Sequence, residues 1–219
     1  MHPAFSVIFF TTASGAGYGI LALLGLFATF GWLPLKTSFN LTIITLALIL
    51  ITAGLLSSTA HLGHPERAWR ALSQWRSSWL SREGVFAIIT FIPASIFWLA
   101  GGFPNLIPGP WEFWGLAAGV FSLVTIFCTA QIYASLKTIP QWHSLFVPVI
   151  YILIGLLDGA LIITFLTAVF DSFVINFSWI VLSLAILGGI VKLTYWNVMD
   201  RPSPSTSATA TGLGDGSES

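Results

Sequence analysis

Charge is what this chain has least of. Only 7% of its 219 residues are Asp, Glu, Lys or Arg, against about 25% in an ordinary soluble domain. Eight cations and eight anions cannot clothe a soluble globule that is 56% hydrophobic, so a water-exposed fold is excluded. The formal net charge of +0 gives no basic field, which removes nucleic acid as a partner. A single cysteine, Cys128, excludes a disulfide framework, a cysteine-ligated zinc site and an iron–sulfur cluster held by this chain alone. A basic region ahead of the first apolar stretch is also missing, and that stretch is too long for a signal-peptide core, so a permanent helix is expected there.

What is abundant points the same way. There are 18 Phe and 10 Trp, and the mean hydropathy is +0.89. Charge-free intervals at 1–35, 37–65, 84–111, 113–136 and 172–191 punctuate the chain. A spanning helix needs about 20 mostly apolar residues, so each interval can hold one. The expected fold is all-α: a polytopic bundle of six helices at roughly 5–31, 39–61, 84–101, 112–136, 144–169 and 174–196. The fifth helix carries one internal acid, Asp158. Breakers fall between helices at Pro34, at Gly101-Gly102-Phe103-Pro104 and at Pro140. Residues 1–200 read as the transmembrane domain, and 201–219 as a disordered Ser/Thr/Pro/Gly tail.

Basic residues set the expected orientation. With a cytoplasmic N-terminus, Arg67, Arg70, Arg76, Arg82, Lys137, Lys192 and Arg201 lie inside and only Lys36 lies outside. The positive-inside rule therefore places both termini in the cytoplasm.

The stretch from Ser58 to Gly84 holds half of all Lys and Arg, two of the four His and three Trp. On a wheel of about 100° per residue, Trp75, Ala68, Trp79, Leu72, Trp69 and Leu80 share an arc of about 140°. Arg67, Arg70, Gln74 and Ser77 face away, and Arg76 intrudes. The pattern predicts an amphipathic interfacial helix over about 66–80, indoles in the acyl region and guanidinium groups outward. Ser81 is expected to cap the next helix, with Glu83 in its first turn. The arginines serve either to anchor the loop on anionic lipid or to dock a soluble partner; the two roles are compatible.

His61 falls where helix two meets the interface, and His64 follows the turn at Gly63. Near neutral pH an imidazole can both donate and accept a proton. If helices two and three are neighbours, Glu83 approaches His61, and the pair supplies bases for a two-proton, two-electron quinol oxidation. The competing reading is that His61 only closes a helix end by bonding a free carbonyl. Neither a bis-histidine haem nor a metal site is favoured, because the histidines lie at helix ends without acidic or cysteine partners. Asp158 is costly in a membrane; it either relays protons, lines a quinone cavity, pairs with Lys192 or bonds a neighbouring helix. Gly155, Gly159, Gly188 and Gly189 are expected to allow close helix packing.

His-Leu-Gly-His-Pro-Glu-Arg-Ala-Trp-Arg-Ala at 61–71, followed by Ser-Gln-Trp-Arg-Ser-Ser-Trp-Leu-Ser-Arg-Glu-Gly at 73–84, resembles the membrane anchor subunits of dimethyl sulfoxide reductase-type enzymes. The branch it looks most like anchors sulfite:quinone dehydrogenases. Lys-Leu-Thr-Tyr-Trp at 192–196 and Ala-Thr-Gly-Leu-Gly at 210–214 are similar too. The resemblance implies an anchor that binds no metal itself. It implies a ferredoxin-like iron–sulfur subunit and a molybdopterin catalytic subunit as partners, and electron exchange with menaquinone or ubiquinone in a bacterial inner membrane. The family's quinone-site histidine falls on His61 and its carboxylate on Glu83, with His64 nearby; Gly63, Arg67, Trp69, Arg70 and Arg76 would face the iron–sulfur subunit. Family members usually have eight helices, so six suggests a truncated copy or a short variant. A reading from a different class is a small transporter or proton-relay protein that uses Asp158.

Overall fold

The computed structural model describes residues 5–32, 36–59, 65–103, 105, 107, 109–170 and 177–200. Six long helices account for most of them: α1 (Phe5–Thr29), α2 (Thr37–Thr59), α3 (Trp79–Gly102), α4 (Trp111–Ala134), α5 (Phe146–Val169) and α6 (Phe177–Met199). All six are long and apolar enough to cross a membrane. The bundle is all-helical among the described residues, and the chain is a multi-pass membrane protein. In hydrocarbon no water can satisfy a backbone amide, so each segment closes its hydrogen bonds internally as a helix. Side-chain hydroxyls obey the same constraint: Ser14, Thr125 and Thr164 each donate to the carbonyl four residues back.

Helix ends are settled by local chemistry. After α1, Gly31 takes φ +67°. The Gly31 amide donates to Ala28 O at 3.1 Å and the Trp32 amide to Phe27 O at 2.8 Å, the paired bonds of a Schellman ending. Its usual apolar contact is supplied by the Phe27 and Trp32 rings, 6.1 Å apart. Pro148 is tolerated in the first turn of α5, where no amide partner is needed. Pro93 lies inside α3 and deprives the Ile89 carbonyl of its usual donor. Lys36 Nζ donates to Phe170 O at 2.8 Å, satisfying a carbonyl at the end of α5.

The helices alternate up and down, with α1 at the centre. A Cβ on Gly17 would strike Ala47 and Ile51 of α2 at 2.7 Å, and one on Gly54 would meet Ser14 at 2.9 Å. Gly19 backs onto the Gly155 carbonyl of α5, and Gly159 returns the contact against Gly19 and Ile20. Gly25 meets the Gly115 carbonyl of α4, and Gly119 lies over Ala22. Small residues thus let three helices approach one. Gly155 and Gly159 pack as expected. Gly188 and Gly189 do not: among the described residues nothing lies within 4 Å of a Cβ placed on either, and that face of α6 meets no other helix.

The connection between α2 and α3 differs from its expectation. Instead of an α-helix over 66–80, it forms a 3₁₀ helix, Pro65–Gln74, followed by turns. Residues three apart eclipse in a 3₁₀ helix, so the arc drawn at α-helical spacing breaks up. Trp69 and Trp75 are exposed, Leu72 packs on Gly84, and Trp79 and Leu80 belong to α3. The cap of α3 is Ser78, whose hydroxyl accepts from the Ser81 amide at 3.4 Å, rather than Ser81. Glu83 accordingly sits past the first turn.

Candidate functional site

Among the described residues, Glu83 is a carboxylate set deep in the fold, only 4% exposed. It sits there because α3 starts at Trp79, one turn earlier. Arg82, its neighbour, turns the other way. Its guanidinium donates to Trp75 O at 3.1 Å and Arg76 O at 2.7 Å and lies 4.2 Å from the centre of the Trp79 ring. Arg82 thereby pins the loop to α3 and leaves Glu83 on the inner face. There Thr129 of α4 donates its hydroxyl to Glu83 Oε1 at 2.5 Å. The seam between α3 and α4 continues inward with Thr90 and Thr125, whose hydroxyls are 3.3 Å apart.

Beside this carboxylate is a cavity of about 250 Å³. Its walls come from α1 (Thr11, Ser14, Tyr18), α4 (Ile126, Thr129), α5 (Tyr151, Asp158) and α6 (Lys192). Apolar walls with a few convergent polar groups are the usual form of a small-molecule site. Thr129 belongs to both features, lining the cavity and bonding Glu83. Tyr18 also lines it, and among the described residues the buried Tyr18 hydroxyl has no hydrogen-bond partner. A buried hydroxyl in that condition is ready for a ligand oxygen or a water. The helix alternation puts the cavity in the half of the bundle nearest the 65–78 loop, since Glu83, Thr11 and Tyr151 lie in the first halves of α3, α1 and α5.

The residues singled out in the sequence are distributed unevenly. Glu83 and Asp158 lie in this region, on helices that both pack against α4. Asp158 shares the cavity with Lys192, but the Lys192 ammonium rests over Tyr195 and Trp196, 5.2 and 5.5 Å from the ring centres. His61, Gly63 and His64 lie outside the described residues, as does the side chain of Arg67. Trp69, Arg70 and Arg76 are exposed on the loop, with Arg70 stacked 5.6 Å from the Trp69 ring and Arg76 5.7 Å from Trp75. Tyr18, Thr129 and Tyr151 were missed, because an uncharged hydroxyl in a spanning helix resembles any other. The available signal was the run of small and hydroxyl residues Thr11, Thr12, Ser14, Gly15 and Tyr18 in α1, matched by Ser122, Thr125 and Thr129 at helical spacing in α4.

Fold and site together define a polytopic α-helical membrane protein with a buried carboxylate beside a hydroxyl-lined cavity. The profile of the DMSO reductase anchor subunit (DmsC) family matches residues 1–204, and the chain belongs to that family. It is 34% identical over 213 residues to the C subunit of sulfite dehydrogenase from Allochromatium vinosum, an alignment that takes in 89% of this chain and 65% of its relative. It is 29% identical over 114 residues to the C polypeptide of anaerobic dimethyl sulfoxide reductase from Escherichia coli, taking in 52% of this chain and 40% of that relative. The match thus spans 65% and 40% of the lengths of these two relatives. No solved structure matches it.

Proposed function

We propose that this chain is the membrane anchor of a molybdopterin oxidoreductase complex of the sulfite dehydrogenase or dimethyl sulfoxide reductase type. In this reading it binds menaquinone or ubiquinone and exchanges electrons with a ferredoxin-like iron–sulfur subunit. The observation that carries the reading is the buried Glu83 beside a cavity with a partnerless tyrosine hydroxyl, in the half of the bundle that bears the Arg/Trp loop. A quinone head group needs an apolar slot, polar groups for its two ring oxygens and a base for each proton. The cavity and Glu83 offer the first two and one base. His61, two positions past the end of α2 at Thr59 in the sequence, is the proposed second base, with His64 three residues further on.

The loop supports the partner half of the reading. Trp69, Trp75, Arg70 and Arg76 present indoles and guanidinium groups outward, in the residue types enriched at docking surfaces. Together with Gly63 and Arg67 they form the proposed seat of the iron–sulfur subunit, which would carry the clusters while the molybdopterin resides on the catalytic subunit. In this reading the loop and both termini face the cytoplasm of a bacterial inner membrane, an orientation that the charge asymmetry supports.

The test is made on membranes holding the assembled complex. His61→Ala should abolish quinone-linked turnover while leaving substrate turnover with a soluble artificial electron carrier, which bypasses this subunit. Glu83→Gln keeps shape and hydrogen bonding but gives up the proton-accepting charge, and should slow quinone-linked turnover by about 10²-fold. Full quinone-linked activity in both variants would contradict the reading.

A further inference from the structure

Glu83 is not itself part of the cavity lining, so a ring in the cavity and the carboxylate need an intermediary. Thr129 links the two: it lines the cavity and donates to Glu83 Oε1 at 2.5 Å. A hydroxyl has one proton to give and lone pairs to receive another. The Thr129 hydroxyl has two acceptors, Glu83 Oε1 at 2.5 Å and the Thr125 carbonyl at 3.1 Å; the shorter bond goes to Glu83, and the Oγ1 lone pairs remain for a donor in the cavity. Tyr18, on the same cavity, has a buried hydroxyl with no partner among the described residues. Its phenol proton is free for an acceptor oxygen there.

We propose that Thr129 is the proton relay between a quinol ring oxygen in the cavity and Glu83, and that Tyr18 holds the ring by a hydrogen bond. The proposal rests on the quinone reading above. In the oxidising direction the quinol O–H proton passes to Thr129 Oγ1 as the proton of Thr129 passes to Glu83 Oε1. Thr129 ends unchanged, Glu83 gains one proton, and the ring has lost one. The accompanying electron leaves to a one-electron acceptor, the iron–sulfur cluster of the proposed partner. Quinone reduction runs the same exchange backwards. Thr129 is thus a positioning and relay residue, and Tyr18 a binding residue.

The two roles predict different kinetic signatures in the assembled complex. Thr129→Val keeps shape and loses the hydroxyl, and should lower kcat with a short-tailed quinol by about 10²-fold without changing turnover with a soluble artificial carrier. Thr129→Ser restores the hydroxyl and should return most of the rate, with a solvent isotope effect like that of the parent. If the valine variant fails to assemble, Thr129→Cys, a near-isosteric weak donor, should show an intermediate rate. Tyr18→Phe should raise KM for the quinol several-fold and spare kcat. A parent-like kcat in Thr129→Val or Thr129→Cys, with Glu83→Gln still impaired, overturns the relay and leaves the quinone site standing. A serine variant no faster than valine also overturns it, since packing alone would then explain the loss. An unchanged KM in Tyr18→Phe overturns the role of Tyr18. Parent-like turnover in Thr129→Val, Glu83→Gln and His61→Ala together contradicts the quinone reading itself.

Discussion

Helices α1 and α6 are near twins by hydropathy and opposites by position. Their mean hydropathies are 1.7 and 1.9, yet 67% of the spanning window of α1 is buried and only 6% of that of α6. Apolar side chains are equally at home in lipid and in protein, so hydropathy cannot separate a central helix from a peripheral one. Side-chain size does separate them. α1 carries Gly15, Gly17, Gly19 and Gly25 together with Ala13, Ala16 and Ala22, and packs against α2, α4 and α5. α6 carries Trp179, Leu182, Ile186, Leu193 and Trp196, all exposed, and its main neighbour is α5. The site follows the same division: α1 gives the cavity a wall of small and hydroxyl residues, whereas α6 adds Lys192 at its rim.

The largest effect that can break this comparison comes from paired glycine substitutions. Gly19→Ala would drive a Cβ into the Gly155 carbonyl, with backbone on both sides and no flexible side chain to yield. It should cost about 3 kcal/mol, the upper end of overpacking penalties, and appear as a sharp drop in folded yield and in Tm in detergent. Gly188→Ala meets open space and should change Tm little, with about 0.5 kcal/mol or more gained from helix propensity. Equal effects at the two positions would erase the distinction between centre and edge.

Next comes docking. Reversing Arg67 and Arg70 to Glu should release the catalytic subunits from membranes, read as lost sedimentation of substrate turnover, while this chain stays inserted. Retained turnover on the membrane would reduce both arginines to lipid anchors. Smaller again is the hydroxyl seam. Thr90→Val removes a buried contact with Thr125 at 3.3 Å and should cost about 0.6 kcal/mol, the usual worth of an interhelical hydrogen bond in lipid, checked by thermal melting. The smallest expected change belongs to Asp158→Asn. Because Asp158 lines the cavity without bonding Glu83, it should alter KM for quinol several-fold and leave kcat near the parent value. Loss of kcat equal to that of Glu83→Gln would make Asp158 a proton carrier in its own right.

The six helices were legible because charges occur almost nowhere else, and most helix ends fall within three residues of the charge-gap estimate. The start of α3 was misplaced for the same reason that the others were found. Arg82 and Glu83 resemble loop punctuation, but one folds back onto carbonyls and the other is bonded inside the bundle. Gly188 and Gly189 were indistinguishable from Gly155 and Gly159 by spacing, since a small residue permits an approach without causing one. Of the site, Asp158 was visible as an acid in apolar surroundings, and Glu83 as the carboxylate that the family resemblance sets near His61. Tyr18, Thr129 and Tyr151 were not, because their roles depend on which helices adjoin, and that depends on shape rather than polarity.

In the proposed site the quinone ring sits among α1, α4 and α5. The outer groove between α2 and α3 is larger, about 510 Å³, but is lined by Thr45, Leu48, Ile49, Thr52, Leu56 and Trp98 with no acid or tyrosine. Photo-crosslinking with a short-tailed azidoquinone in membranes holding the assembled complex separates the two directly. Label should fall on peptides containing Tyr18, Thr129 or Tyr151 and be displaced by excess unmodified quinone. Displaceable label confined to α2 around Leu48–Leu56, or to the outer face of α6, would contradict the account.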